Sequence, residues 1–236
     1  VTASWDGEAA EVSDDTPTLA QPSIPVHKAQ AFVPFSIEIG MDWANLEAEV
    51  RRLFADAKDR LEAVAHITGT GTDQPTGIVT ELVGGSSVVA SIGANAFAKE
   101  DLYALASALP ERHWPAAQWL AHRTTGFTIR QFAVGDESDA FWTDLGGANP
   151  GRLIGKQWNE SSEVDATYGS GENYILLIGD WSNYVIVDRI GMSVELIPHL
   201  FATANNRPSG QRGMYAYWRT GAESVNDDAF RMLNVT

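Results

Sequence analysis

The segment Trp43–Ile67, WANLEAEVRRLFADAKDRLEAVAHI, runs through Thr68 into Gly69-Thr70-Gly71-Thr72-Asp73-Gln74-Pro75-Thr76-Gly77. Its apolar residues fall at 43, 46, 50, 53, 54, 57, 61, 64 and 65, steps of three, four and one. That spacing predicts one continuous helical face. Asp42 stands where an N-cap is expected, and Glu47 and Glu49 lie near the positive end of the helix dipole. Glu47 with Arg51, and Asp56 with Arg60, are spaced for i,i+4 ion pairs on the watery side. Gly69 supplies the stop, and the Gly/Thr/Asp/Pro run forbids continuation. At about 1.5 Å per residue such a helix is about 37 Å long, a spine along which something must lie.

Around this spine are 236 residues, 44% hydrophobic and 20% charged, enough for one or two packed domains. With no cysteine, neither a disulfide framework nor a thiolate metal site is available. A net charge of -15 and only four lysines argue against a nucleic-acid-binding surface, because phosphate contacts need cations. No run of about 18 apolar residues marks a membrane span, and no signal peptide is visible. The start at Val1, without an initiator Met, reads as a processed or trimmed N-terminus.

Taken in order, Val1–Glu11 and Val26–Ile39 read as strands, separated by the acidic, turn-prone 13–18 and by Pro22 and Pro25. Residues 1–37 are therefore expected as an open two-stranded excursion with little core of its own, which needs a neighbour to lie on. Ile78–Ile92 reads as a short strand and linker. Lys99–Leu109 reads as a helix stopped by Pro110, Ala116–His122 as a strand, and Thr124–Val134 as a short helix. Residues 135–151 form a loop, Arg152–Asn159 a strand, and Glu172–Gly179 a buried strand. Trp181–Arg189 and Met192–Pro198 are expected as a hairpin around Gly191, and Arg212–Arg219 with Ser224–Leu233 complete the sheet. No repeat is present, and the mixed order predicts an α+β fold.

Candidate chemistry is sparse. Gly69-Thr70-Gly71-Thr72 follows a helix, whereas a phosphate cradle precedes one, so the loop reads as a stop and turn. Histidines 27, 66, 113, 122 and 199 show no i,i+4 pairing and no His-Glu-x-x-His motif. No Gly-x-Ser-x-Gly elbow exists. The eight tryptophans (5, 43, 114, 119, 142, 158, 181, 218) lack repeat spacing, which favours core or interface packing over a sugar-stacking platform. The residues thus nominate no catalytic group, metal ligand or cofactor site.

The helix followed by Gly69 to Ile78 resembles the signature of major capsid proteins of tailed double-stranded DNA phages, the Hong Kong 97 type. Leu153-Ile154-Gly155-Lys156 resembles the strand that returns to that family's sheet. Gly179 to Val194 resembles its long C-terminal hairpin, and Arg212–Arg219 with Asp228–Leu233 its usual ending. The likeness covers nearly the whole chain in order. It implies a phage capsid fold of the α+β class, with an extended loop over 1–37 and a peripheral domain over 38–92 holding the spine helix (43–67). It further implies an axial domain over 93–187 and a return to the peripheral domain over 188–236, with the 205–210 tip near threefold axes. Closed symmetry repeats one modest interface many times.

On that resemblance the chain is a structural subunit of an icosahedral virion capsid, not an enzyme and without cofactors, assembled in the host bacterial cytoplasm. Its implied partners are copies of itself in pentamers and hexamers, a portal, and scaffolding or decoration proteins. The shell encloses DNA without sequence-specific binding, its acidic wall not adhering to the contents, and involves no membrane. Intersubunit contacts are expected at Trp5, Glu8 and Glu11 in the loop, at Lys28 and Phe32 on the returning strand, and at Asn206, Arg207 and Pro208 in the tip. The loop tip 11–18 has no lysine and the Asn205/Asn206 tip has no glutamate before Glu223, so the Lys–Asn cross-link of some members is not expected. Two other readings stay open: an encapsulin-type nanocompartment shell, and a secreted carbohydrate-binding or hydrolytic domain.

Overall fold

The computed structural model describes residues 23–43, 45–132, 151–202 and 204–236. The long helix is α2, Leu46–Thr68, preceded by a short α1, Ile37–Asp42. Asp42 is thus the end of α1 rather than an N-cap, and Asn45 holds that position without a side-chain cap bond. The strand expected to reach Ile39 stops at Ser36, whose hydroxyl accepts from the Ile39 N–H at 3.2 Å and starts α1. The outer face of α2 carries the expected pairs, Arg51–Glu47 at 2.7 Å and Arg60–Asp56 at 2.6 Å. Gly69 ends the helix by donating to the Ala65 carbonyl, and a Cβ there would collide with that carbonyl and with the Pro75 carbonyl. Gly77 donates back to the Gly69 carbonyl at 2.9 Å, so the glycine-rich stretch is a closed turn.

Two sheets organise the described residues. The first has the order β1-β8-β7, built from β1 (His27–Ser36), β7 (Tyr184–Ile197) and β8 (Gln211–Ser224), all antiparallel. β1 pairs with β8 along its full length, His27 opposite Thr220 and Ser36 opposite Gln211. Of the segment expected to lack an intramolecular bed, the part His27–Ser36 therefore has one in the chain's own C-terminal part, while residues 1–22 lie outside the described residues. β7 runs unbroken through Gly191, where a hairpin is expected; it absorbs the glycine as register shifts between Asp188 and Ser193, and its turn comes later, at 198–210.

The second sheet has the order β2-β9-β6-β3-β5-β4. Its strands are β2 (Val88–Ala90), β3 (Gln118–Ala121), β4 (Arg152–Leu153), β5 (Lys156–Glu160), β6 (Tyr174–Gly179) and β9 (Phe230–Asn234). β6 is buried from Ile175 to Gly179, as its continuous apolar run requires. Ile154 and Gly155, both at positive φ, turn β4 into β5, splitting the single strand expected over 152–159. Helices α4 (Lys99–Ala108) and α5 (Arg123–Gln131) lie where the sequence pattern puts them. Ile78–Leu82, expected as a strand, is a one-turn helix, α3, whose Ile78 and Leu82 are fully buried.

The two sheets are joined by short connectors, 180–183 and 225–229, held together by the Val225 N–H on the Asn183 carbonyl at 2.9 Å. Most of the core belongs to the second sheet: Leu102, Leu105, Trp119, Trp158 and Ile178 on one side, Ile78, Leu177, Phe230 and Met232 on the other. Between α2 and the first sheet only Val50, Phe54, Met214 and Ala216 form a buried cluster.

Candidate intersubunit surface

Alternation along β8 divides the first sheet into two faces. Met214, Ala216, Trp218 and Thr220 are buried beneath α2, while Tyr215, Tyr217 and Arg219 look outward and stay half-buried. On β1 the outward positions are Lys28, Gln30 and Phe32. The Lys28 ammonium lies 5.7 Å from the Tyr215 ring centre, and Tyr215 stacks on Tyr217 at 5.6 Å. The Tyr215 hydroxyl donates to Gln30 at 2.9 Å. Phe32 is 46% exposed, its ring occupying the space a side chain at Gly213 would need. This face is a preordered aromatic platform flanked by two cations, Lys28 and Arg219, a composition suited to a protein interface.

At the end of the β7–β8 pair, residues 198–202 and 204–210 belong to a pinned finger. The Ala202 N–H donates to the Arg207 carbonyl, the Ser209 N–H to the Leu200 carbonyl, and the Arg207 N–H to the Asn205 side chain. Asn206 adopts φ 50°, in the left-handed region asparagine tolerates. Asn206, Arg207 and Pro208 are all exposed on a backbone held by its own hydrogen bonds. Phe201, bridged to Pro208, is exposed as well.

The third surface is a flank of α2, and the helix is turned in an unusual way. Leu53 is 52% exposed, Leu61 51% and Val64 43%, whereas one polar pair of the helix is sheltered. Lys58 and Glu62, paired at 2.6 Å, are largely buried. His66 is half-buried there, and burial pulls its pKa below the usual value despite the opposing charges of Glu62 and Asp188. Trp43, ahead of the helix, is exposed too. Part of the apolar arc that makes this helix legible is therefore exposed among the described residues.

Five of the eight expected contact residues, Lys28, Phe32, Asn206, Arg207 and Pro208, are described, at two separate places: the sheet face and the finger. Trp5, Glu8 and Glu11 lie outside the described residues. Leu53, Leu61, Val64, Tyr215 and Tyr217 also stand on these surfaces and were not among the expected contacts. The width of the apolar arc on α2 was the available signal, since a helix resting on one narrow sheet needs less. Trp119, Trp158 and Trp218 are core residues, with the Trp119 indole donating to the Leu153 carbonyl at 2.9 Å. Among the described residues no three His, Asp or Glu side chains are placed to hold a metal.

The model of the phage capsid family matches residues 1–235, and the chain belongs to that family. It is a structural capsid subunit, one that associates with itself into a shell. Among solved structures, the capsid of an empty GTA particle is 25% identical at a TM-score of 0.84, over 100% of this chain and 81% of that one. A structure from Mycobacterium phage Ogopogo is 18% identical at 0.66, over 99% and 83%. The encapsulin of a holo complex from Synechococcus elongatus is 13% identical at 0.64, over 89% and 74%, and shares the fold. No curated protein matches.

Proposed function

We propose that this chain forms the icosahedral shell of a phage-type particle from its own pentamers and hexamers, enclosing packaged double-stranded DNA. The observation that carries the reading is the uncovered flank of α2 in a chain matched by the family over 1–235: a long helix with apolar side chains outward is half of an interface. Lys28 and Phe32 on the sheet face, and Asn206, Arg207 and Pro208 on the finger, are the described contact residues of the proposal, with Trp5, Glu8 and Glu11 on the extended loop. The proposed layout keeps the extended loop at 1–37, the peripheral parts at 38–92 and 188–236 and the axial part at 93–187. Within it, β2 and β9 cross over to pair in the six-stranded sheet.

The net charge of -15 suits a wall that releases DNA rather than binding it by sequence. Portal and scaffolding or decoration proteins complete the proposed partners, the host cytoplasm is the place of assembly, and the shell subunit performs no catalysis. The test is electron microscopy of the full-length native protein with sedimentation. Closed polyhedral shells, or discrete pentamers and hexamers, are expected. A full-length protein that stays monomeric overturns the proposal, and shells filled with an enzyme rather than DNA move it to the encapsulin reading.

A further inference from the structure

The foot of α2 is tied to both sheets at one seam. The Tyr184 hydroxyl of β7 donates to the Thr76 carbonyl at 2.7 Å and lies 3.1 Å from the His66 carbonyl in the last turn of the helix. The Thr76 N–H donates to the Ala222 carbonyl of β8. Gly77 then opens α3, whose Ile78 and Leu82 pack with Leu177 and Phe230 of the second sheet. Residues 69–77 are thus a strap from the three-stranded sheet to the six-stranded one. The His66 ring closes the seam from the helix side, edge-on to the Tyr184 ring with 6.4 Å between ring centres.

His66 Nε2 is buried and finds no partner among the described residues. A neutral imidazole tolerates that on its lone-pair nitrogen, but a charged ring donates from both nitrogens and needs an acceptor. On α2 itself, Lys58 lies two turns back and Glu62 one turn back; β7 brings Asp188 and Tyr184. Glu81 of α3 acts on Tyr184 rather than on the imidazole, and His27 of β1 lines the neighbouring pocket with Glu62. Lys58 holds Glu62 Oε2 at 2.6 Å, while Glu62 Oε1 is buried and unclaimed among the described residues. A spacing of four puts Glu62 and His66 on one face of the helix. Burial opposes the charged ring, and Glu62 favours it more than Asp188 does. We propose that His66 is a proton-operated latch on the 69–77 strap. Neutral, it seats against Tyr184 and holds the strap closed; charged, it turns back along α2 to Glu62 Oε1 and the strap loosens. The device belongs to the subunit and stands whatever that subunit assembles into.

The experiment follows hydrogen exchange of the 69–77 amides in the full-length protein from about pH 7.5 to about pH 5, corrected for the chemical exchange rate at each pH. Exchange of the strap is expected to speed by about three- to tenfold on acidification, the worth of one aromatic contact. The 230–234 amides of β9 are expected to stay protected, and their loosening in step overturns the latch in favour of general unfolding. His66→Gln, neutral throughout, is expected to abolish the response, and Glu62→Ala to suppress it. A full response in either variant overturns the proposal, because other groups then drive the opening. Asp188→Asn and His27→Gln are expected to keep the response. Its loss in Asp188→Asn places the acceptor on the sheet, its loss in His27→Gln places the proton on the other imidazole, and either result overturns the proposal. Slower exchange on acidification overturns it as well, since the charged ring then grips Tyr184 instead of leaving it.

Discussion

The six-stranded and three-stranded sheets are made from the same chain by different economies of burial. In the six-stranded sheet, β6 and β9 are covered on both faces, and the residues touching them are apolar almost throughout. Where a polar group is buried there it is fully engaged: the Asp101 carboxylate, 0% exposed, accepts from the Ile92 and Ala98 N–H groups at 2.8 Å each. Around the three-stranded sheet the opposite holds. Its helix exposes leucine and shelters Lys58 and Glu62, and its buried polar atoms at His27, Trp218 and Thr220 find no partner among the described residues. One region is finished within the subunit. The other has the composition of an interface awaiting its second half.

The comparison breaks first at Phe230, fully buried against Trp181 and Gly179 where the sheets join. Phe230→Ala is expected to cost about 3–5 kcal/mol in denaturant unfolding, a large share of the roughly 5–15 kcal/mol by which domains are stable. Asp101→Ala, which strands two buried N–H groups, is expected to cost about 1.5–3 kcal/mol by the same measurement. If either loss is as small as a surface change, the six-stranded sheet is not the finished region. Tyr184→Phe probes the seam: its hydroxyl donates to the Thr76 carbonyl at 2.7 Å and lies 3.1 Å from the His66 carbonyl, and burial pushes its pKa well up. That loss is expected at about 0.5–1.5 kcal/mol, with faster hydrogen exchange in the 69–77 turn.

Smaller still is a pH effect in the α2 region. Burial holds the His66 pKa below 6.5, so on acidification the unfolded chain takes up that proton first. The contribution is complete above 6.5 and is lost as pH falls from there toward the folded value. His66→Gln is expected to flatten the slope of stability against pH in that window; an unaltered slope assigns it to other groups. The smallest change in subunit stability belongs to Leu53→Ser, within about 0.5 kcal/mol, because the side chain is already half in water. Shell formation by the same variant is expected to fall clearly, and equal yields would show that this flank faces nothing.

Much of the three-stranded region was legible because helices announce themselves by period. The spine, its two ion pairs and its glycine stop all follow from spacing alone. Period does not say which part of an apolar arc meets the chain's own sheet, because a neighbour's leucine leaves the same signature as an internal one. The misreadings have local causes. Gly191 reads as a turn, yet a long edge strand absorbs it as a register shift. Ile78-Val79 favours a strand by composition, but the two buried positions four apart, Ile78 and Leu82, fit a single helical turn against the core. The contact residues of the finger were named from a family resemblance, since nothing in Asn206-Arg207-Pro208 distinguishes an interface tip from an ordinary loop.

The pairing of β1 with β8, and of β2 with β9, also sets a timetable. Each sheet joins a strand from the N-terminal half to one near the C-terminal end, so they close only once residues near 224 and 234, respectively, have left the ribosome. At roughly 5–20 residues per second, the stretch between β1 and β8 takes on the order of ten to forty seconds to synthesise. Throughout that interval the helix has no sheet beneath it, and the surface that a neighbour would grip does not yet exist. Competence for assembly arrives late and all at once, which protects a crowded polysome from joining half-made subunits.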